Sequence, residues 1–305
     1  MKIAIIGGPT AVGKTDLMVE VCEEINAEIV SMDSRQIYRY MDIGTAKPTP
    51  EQRERVHHHM IDILDPDKYY NAFLYREDSL KTVEDILRRG KIPVYVGGTG
   101  LYADALVRGI FEGVPADENI RKELRELEKR EPGILRKMLE EFDPEAATRI
   151  HPNDLKRTIR ALEVYMKTGK RISELQKEAR GDDRFFIIVL TRERYDLYDR
   201  INKRVDKMIE IGFIDEVKKL LEMGYSKNLN SMKTIGYKEV IEYLEGKYDF
   251  EKMVHLIKRN TRHFARRQII WFKRYESAVW YNLTFMNREE LKRTLKELIM
   301  KNFSV

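Results

Sequence analysis

The sequence is poor in cysteine and contains no long apolar segment. Cys22 is the single cysteine in 305 residues, which excludes an internal disulfide and indicates a reducing compartment. The apolar runs are far shorter than the roughly 18 residues that a membrane-spanning helix needs. The first residues pass directly into a predicted strand instead of a secretory signal. These absences predict a cytoplasmic protein without a membrane partner.

The composition is that of a globular chain, with 42% hydrophobic and 35% charged residues. This length predicts one large domain or two smaller ones. The formal net charge of +5 weakly favours a polyanionic partner, and the positions of the charges matter more than their sum.

The N-terminal segment carries a phosphate-binding motif, Gly-x-x-x-x-Gly-Lys-[Ser/Thr], without a mismatch. An apolar predicted strand precedes it at residues 3–6, and a predicted helix opens at Asp16. In such loops the lysine, here Lys14, reaches the outer phosphates, and the hydroxyl of Thr15 helps to hold Mg²⁺. The motif predicts that a diphosphate or polyphosphate binds at Gly8, Pro9, Thr10, Ala11, Val12, Gly13, Lys14 and Thr15.

Predicted strands and helices alternate along the first hundred residues, which indicates an α/β fold with a parallel sheet flanked by helices. Ligands of such sheets bind beyond the carboxyl ends of the strands. We therefore expect the Gly8 loop, Asp33 and the turn at Thr99 to meet along one edge. Charged helical sequence then predicts a helical insertion over 117–182, within a core formed by 1–116 and 183–305.

Asp33 ends a predicted strand beside the phosphate loop. Such an acid either organises Mg²⁺ or acts as a general base toward a second substrate, and the residues alone leave both roles open. Arg204, four residues after Arg200 on one predicted helix face, has the chemistry to clamp a departing diphosphate.

The segment 257–274 carries seven lysines and arginines and no acid. At helical spacing, one stripe contains Arg259, Arg262, Arg266 and Lys273, while Phe264 lies among apolar residues on the other side. We expect the apolar side to pack on the body and the basic side to face a nucleic-acid backbone. The triplet His57, His58 and His59 favours a structural role, with a metal site as the alternative, because adjacent side chains do not converge on one ion.

Seven motifs occur in the same order as in bacterial tRNA dimethylallyltransferases, and the sequence resembles that family over nearly its whole length. The motifs lie at residues 8–15, 33–38, 42–48, 97–102, 151–154, 235–239 and 266–268. The resemblance implies a kinase-like P-loop fold that transfers a dimethylallyl group from dimethylallyl diphosphate to the exocyclic N6 amine of the adenosine 3′ to the anticodon. It implies N6-isopentenyladenosine and diphosphate as products, Mg²⁺ as cofactor and the tRNA anticodon stem-loop as partner, and we expect a monomer.

The resemblance also implies residue roles. Asp33 accepts a proton from the adenosine amine, Arg204 and Lys14 stabilise the leaving diphosphate, and Thr99 lies beside the reacting adenosine. The tRNA contacts that it implies are Asp33, Ser34, Arg35, Gln36, Thr99, Arg121, Lys156, Arg157, Thr158, Ile159, Arg160, Lys233, Lys238, Arg266, Arg267 and Gln268.

Two other functions fit part of the sequence. A P-loop kinase acting on a small metabolite explains the first hundred residues but gives no reason for the basic segment after Ile257. A nucleotide-switched RNA-binding module explains the basic segment but leaves Asp33 without a role.

Overall fold

The computed structural model of the chain describes residues 1–111 and 114–304. Its contacts divide the chain into two compact units, Met1–Ala103 with Asp183–Val305, and Asp104–Asp182. The predicted insertion at 117–182 lies inside the second unit.

The first unit contains the strands β1 (Ile3–Gly7), β2 (Ala27–Ser31), β3 (His58–His59), β4 (Ile92–Val96), β5 (Phe185–Thr191) and β6 (Val279–Asn282). They form one six-stranded sheet in the order β3-β2-β4-β1-β5-β6. Every pairing is parallel, which confirms the predicted α/β class. The inner strands are almost wholly buried because helices cover both faces, and this explains why they are continuous apolar runs. The two short edge strands, β3 and β6, were not predicted.

The helices of the first unit pack in two clusters. One joins the sheet to the first and last helices and contains the buried Cys22, as expected of a packed thiol. The second cluster lies among the helices that follow β5. Helix α3 (Ala72–Arg88) begins after Asn71, whose side chain caps it by accepting a hydrogen bond from the Leu74 amide. The helices are α1 (Lys14–Glu24), α2 (Pro50–Arg55), α3 (Ala72–Arg88), α4 (Gly100–Val107), α10 (Arg194–Glu210), α11 (Phe213–Glu222), α12 (Tyr237–Leu244), α13 (Phe250–Phe272) and α14 (Arg288–Ser304).

The second unit is helical and has its own core, in which Leu124, Leu139 and Leu162 are buried. Helix α8 (Leu155–Thr168) begins after Asp154, whose side chain accepts a hydrogen bond from the Arg157 amide. The end of α4 belongs to this unit. Its further helices are α5 (Glu118–Arg130), α6 (Ile134–Phe142), α7 (Pro144–Arg149), α8 (Leu155–Thr168) and α9 (Ile172–Glu178).

Within the described ranges, no helix combines the length and apolar character needed to cross a bilayer.

Candidate active site

The phosphate loop connects β1 to α1 and turns sharply at two glycines. Gly8 has a φ of +139°, and a Cβ there would lie 2.2 Å from the Leu190 carbonyl oxygen. Gly13, with a φ of +101°, precedes the first residue of α1. Both positions require glycine, because side chains are disfavoured at positive φ and the strand behind Gly8 leaves no room.

The Lys14 ammonium is held within this loop. Its Nζ donates to the carbonyl oxygens of Gly8, at 2.9 Å, and Pro9, at 2.8 Å. Burial is the main cause that lowers the pKa of Lys14 to about 7, the positive charge of Arg204 lowers it further, and Asp33 opposes the shift. An anion bound in the loop would favour the protonated ammonium.

Three arginines surround the loop. Arg204 Nη1 donates to Thr10 Oγ1 at 3.3 Å, and Arg200 Nε donates to the Ala11 carbonyl oxygen at 2.9 Å. Arg192 Nε donates to the carbonyl oxygen of Val12 at 2.9 Å. Arg192 was not predicted, although it directly follows a buried strand at the edge of the sheet where ligands bind, and that position could have identified it.

Asp33 and Thr99 lie next to each other, as predicted for the ends of β2 and β4. Asp33 Oδ1 accepts hydrogen bonds from the amides of Arg35, at 2.8 Å, and Gln36, at 3.4 Å. The Ser34 amide donates to Thr99 Oγ1 at 3.0 Å. The turn after β2 and the turn after β4 are therefore fixed against each other, and one carboxylate oxygen of Asp33 is held by backbone amides.

The phosphate loop and these two turns line one cleft of about 540 Å³. That volume is typical of a small-molecule site. The polar lining includes Lys14, Asp33, Thr99 and Arg204. Larger apolar side chains also line the cleft, namely Val96 of β4 and, from the segments after β5, Val205, Met208, Phe213, Ile235, Ile257 and Phe264.

Three of the predicted RNA contacts are buried in the structure. Gln268 is only 7% exposed, and its amide bonds to the protein itself, accepting from Thr10 N at 2.8 Å and donating to the Gly98 oxygen at 2.9 Å. Thr158 and Ile159 are buried in the second unit, because they lie on the inner face of α8.

The predicted stripes of α13 are also partly wrong. Arg262 is half-buried and donates to Asn202 Oδ1 at 2.7 Å, instead of facing outward. Phe264 is 36% exposed and lies under the Arg267 guanidinium, whose carbon is 5.8 Å from the ring centroid. The reason is that α13 packs along α10 and α12 as well as against the loops, which rotates the buried stripe relative to the predicted one.

In the second unit, Arg121 and Arg160 bind the fully buried Glu163. Arg121 Nε lies 2.9 Å from Glu163 Oε1, and Arg160 Nη1 lies 2.6 Å from Oε2. Burial favours a higher pKa for Glu163, but the Asp117 amide and the two guanidinium groups hold it below the usual range. Both arginines thus complete an internal ion cluster, whereas Lys156 and Arg157 are exposed.

The remaining predicted contacts lie at or near the cleft. Lys233, Lys238, Arg266 and Arg267 are exposed, and Lys233 and Arg267 line the cleft. Two predicted contacts in the motif at 33–38, directly after β2, bond to the protein itself. Arg35 Nη1 donates to the Asn230 carbonyl oxygen at 3.0 Å. Gln36 Nε2 donates to the carbonyl oxygens of Thr45, at 3.2 Å, and Ala46, at 3.1 Å.

The histidine triplet has protein partners. His58 Nδ1 lies 2.7 Å from the Val56 oxygen, and His59 Nε2 lies 2.7 Å from Glu28 Oε2. Burial lowers the pKa of His58 to about 4. These contacts support a structural role at the edge of the sheet. In the part of the chain that the structure describes, no three His, Cys, Asp or Glu side chains form a metal-binding group.

A glycine-rich loop between a buried parallel strand and a helix, bordering a cleft with cationic and apolar walls, defines a P-loop protein whose site suits a phosphorylated molecule with an apolar part. The model of the IPP transferase family matches residues 36–275, and that of isopentenyl transferase matches residues 1–65. The chain belongs to the IPP transferase family.

Relatives match over the full length. The tRNA dimethylallyltransferase of Thermotoga neapolitana is 91% identical over 305 residues, which is 100% of both chains. That of Thermosipho melanesiensis is 60% identical over 299 residues, covering 98% of this chain and 99% of the relative.

Solved structures show the same similarity. The tRNA isopentenylpyrophosphate transferase of Bacillus halodurans is 39% identical with a TM-score of 0.74, covering 99% of this chain and 97% of that one. A eukaryotic dimethylallyltransferase crystallised acting on tRNA is 28% identical with a TM-score of 0.82, covering 97% and 77%.

Proposed function

We propose that the chain transfers a dimethylallyl group from dimethylallyl diphosphate to the exocyclic N6 amine of the adenosine 3′ to the anticodon of tRNA. The observation that carries the proposal is the meeting of the phosphate loop with Asp33 and Thr99 in one cleft. Full-length relatives named tRNA dimethylallyltransferase support it. The products are diphosphate and N6-isopentenyladenosine.

Each step of the transfer can be assigned to a residue of the cleft. The amine nitrogen attacks the allylic carbon, the bond from that carbon to the diphosphate oxygen breaks, and its electron pair leaves with the diphosphate. Asp33 accepts the proton that the nitrogen loses. Lys14 and Arg204, which line the same cleft, neutralise charge on the leaving group.

The acceptor must be positioned accurately, since an amine on an aromatic base is a poor nucleophile. A base also has to leave its stack to enter a cleft of this kind, and bases of a single-stranded loop leave most cheaply. The ease of unstacking favours a base in a single-stranded loop, such as that of an anticodon stem-loop. Cations suited to its phosphates are Lys156 and Arg157 in the second unit, and Lys233, Lys238, Arg266 and Arg267 in the first.

Mg²⁺ fits the oxygen donors beside the loop. The Thr15 hydroxyl and the Asp16 carboxylate both line the cleft. Mg²⁺ commonly takes one or two protein oxygens together with substrate phosphates, so a dedicated group of acids is not required. We place it at Thr15, where it would supply charge neutralisation for the diphosphate.

The function is tested by incubating the protein, as purified, with Mg²⁺, radiolabelled dimethylallyl diphosphate and unmodified tRNA. We expect label in the adenosine 3′ to the anticodon without ATP. Turnover of added ATP with unlabelled RNA would instead support the kinase alternative, and RNA binding without either product would support the binding module.

The role of Asp33 is tested with Asp33→Asn, using the exposed Asp199→Asn as the matched control. Loss of the general base is expected to lower kcat about 10²- to 10⁴-fold while tRNA binding persists. Equal losses of tRNA affinity and rate would contradict the general-base assignment.

A further inference from the structure

The inner face of α13 packs directly on the two loops that form the cleft. A Cβ on Gly98 would lie 2.2 Å from Gln268 Nε2, and one on Gly100 would lie 2.2 Å from Trp271 Cδ1. A Cβ on Gly7, at the end of β1, would lie 2.5 Å from Phe272 Cε1. Three glycines therefore let one helix approach the backbone on both sides of the cleft floor.

Gln268 connects these two sides at a place where the sheet no longer does. The β1–β4 ladder ends with the pair Ile6 and Val96, followed by a bond from the Gly97 amide to the Ile6 oxygen at 3.1 Å. Past that point the two segments separate into loops. The Gln268 side chain then joins the Thr10 amide to the Gly98 oxygen, through bonds of 2.8 and 2.9 Å.

Both ends of this bridge reach groups that the reaction uses. Thr10 accepts the hydrogen bond from Arg204, the cation assigned to the leaving diphosphate. Gly98 precedes Thr99, which holds the Ser34 amide beside Asp33. A continuous series of contacts thus joins the groups assigned to the diphosphate with the groups assigned to the adenosine, and the Gln268 amide lies at its centre.

We propose that Gln268 is a positioning residue for the transfer reaction, whose amide keeps the phosphate loop in fixed register with the Gly98–Thr99 turn. The inference rests on the proposed function, because it concerns the alignment of the allylic carbon with the attacking amine. Displacements of about 1 Å can cost two orders of magnitude in rate, so a buried bridge at this place has a measurable effect.

Only a neutral amide satisfies both partners. Glutamate can accept from the Thr10 amide, but its second oxygen would face the Gly98 carbonyl and its charge would oppose a bound diphosphate. Methionine has a similar length and removes both hydrogen bonds. The two variants therefore separate loss of the bridge from the addition of charge.

The test compares Gln268→Met and Gln268→Glu with Arg267→Met, the same change at the adjacent exposed position. We measure kcat at saturating substrates, KM for the donor, tRNA affinity by filter binding and thermal stability. Gln268→Met is expected to lower kcat about 10- to 100-fold, with tRNA affinity within twofold of wild type, ~0.4 kcal/mol. Gln268→Glu should in addition raise KM for the donor, whereas Arg267→Met should weaken tRNA binding.

A second pair of variants distinguishes loss of the Gln268 bridge from a general packing defect. Gly98→Ala would press on the Gln268 amide, so in the wild-type background it should lower kcat, and in a Gln268→Ala background it should add little. Such non-additivity is the signature of residues that act through one contact.

Three results would overturn the inference. These are an unchanged kcat for Gln268→Met at a temperature where it is folded, a loss of tRNA affinity that accounts for the whole effect, and additive losses in the double variant. If wild-type protein itself transfers no label, the proposed function fails instead.

Discussion

Two arginines beside the phosphate loop and two arginines of the second unit have different kinds of partner. In the first unit, Arg204 and Arg200 bond to a hydroxyl and a carbonyl oxygen, which carry no formal charge. In the second unit, Arg121 and Arg160 bond to the carboxylate of the buried Glu163. The sequence predicted an anionic ligand for three of them, the leaving diphosphate for Arg204 and tRNA for Arg121 and Arg160. The structure shows that Arg204 keeps its charge available to a ligand, while the other two already have a counter-ion.

The difference follows from the cost of burying charge. An ionised carboxylate away from water is stable only if cations and hydrogen bonds satisfy it. Glu163 receives both guanidinium groups and the Asp117 amide. In the cleft, burial disfavours the charged state of the cations and lowers the pKa of Arg204 and Lys14. A phosphate group would relieve that cost, which makes the cleft an anion site.

The largest effect is expected from Glu163→Ala, which removes the buried carboxylate that Arg121 and Arg160 share and leaves Arg121 with only the exposed Glu118. Removing one partner of a buried ion cluster costs about 3–5 kcal/mol. The loss should appear as faster hydrogen exchange in α5 and α8. The exposed pair of Glu126 with Lys129 provides the control, where Glu126→Ala should cost below about 1 kcal/mol. Equal effects of both changes would remove the contrast between the two regions.

Arg204→Gln should change the rate instead of stability. Loss of one group that stabilises a leaving charge lowers kcat about 10²- to 10³-fold, or ~2.7–4 kcal/mol. The neighbouring exposed Lys203→Gln is the matched control, and single-turnover transfer to tRNA is the measurement. A stability loss in Arg204→Gln with normal kcat would show that this arginine is structural, like Arg160.

Because the pKa of Lys14 is lowered, we expect the protein to take up a proton when dimethylallyl diphosphate binds above neutral pH. Its pKa is about 7 in the unliganded cleft, chiefly because of burial, so the amine is mostly neutral at pH 8 and mostly charged at pH 6. A bound diphosphate raises this pKa, hence uptake occurs at pH 8 and not at pH 6. Affinity should fall as pH rises above 7, by up to about tenfold per pH unit.

Calorimetry in two buffers of different ionisation enthalpy counts these protons. Lys14→Met serves as the control, because it retains any proton exchange of the diphosphate itself. Equal uptake by wild type and Lys14→Met at pH 8 would assign the proton to another group.

The smallest effects are expected from the exposed cations of α8. Lys156→Gln and Arg157→Gln should each reduce the slope of log affinity for tRNA against log salt by about 1. Stability should change by less than ~0.5 kcal/mol, since such surface positions have little influence on folding. An unchanged salt slope, measured beside the exposed control Lys137→Gln, would show that this face of the second unit does not meet RNA.

Local sequence was sufficient for much of the site. The spacing of Gly8, Gly13 and Lys14 predicts the loop, and the strand-end positions of Asp33 and Thr99 predict their meeting. It was insufficient for Gln268, Arg262 and Phe264, because the periodicity of α13 cannot reveal that neighbours pack against it on more than one side. The second unit shows the same limit of local sequence, since the basic start of α8 at Lys156–Arg160 contains both exposed and buried positions.

The sequence by itself determined the parallel sheet, the phosphate loop and the acid at the end of β2, because each depends on residues that are close along the chain. Only the tertiary structure decided which arginines keep an unneutralised charge, and that Gln268 faces inward to join Thr10 to Gly98. Those properties depend on partners up to 258 residues away along the chain, as for Thr10 and Gln268. Charge compensation and hydrogen-bond pairing exist only once folding has brought such groups together.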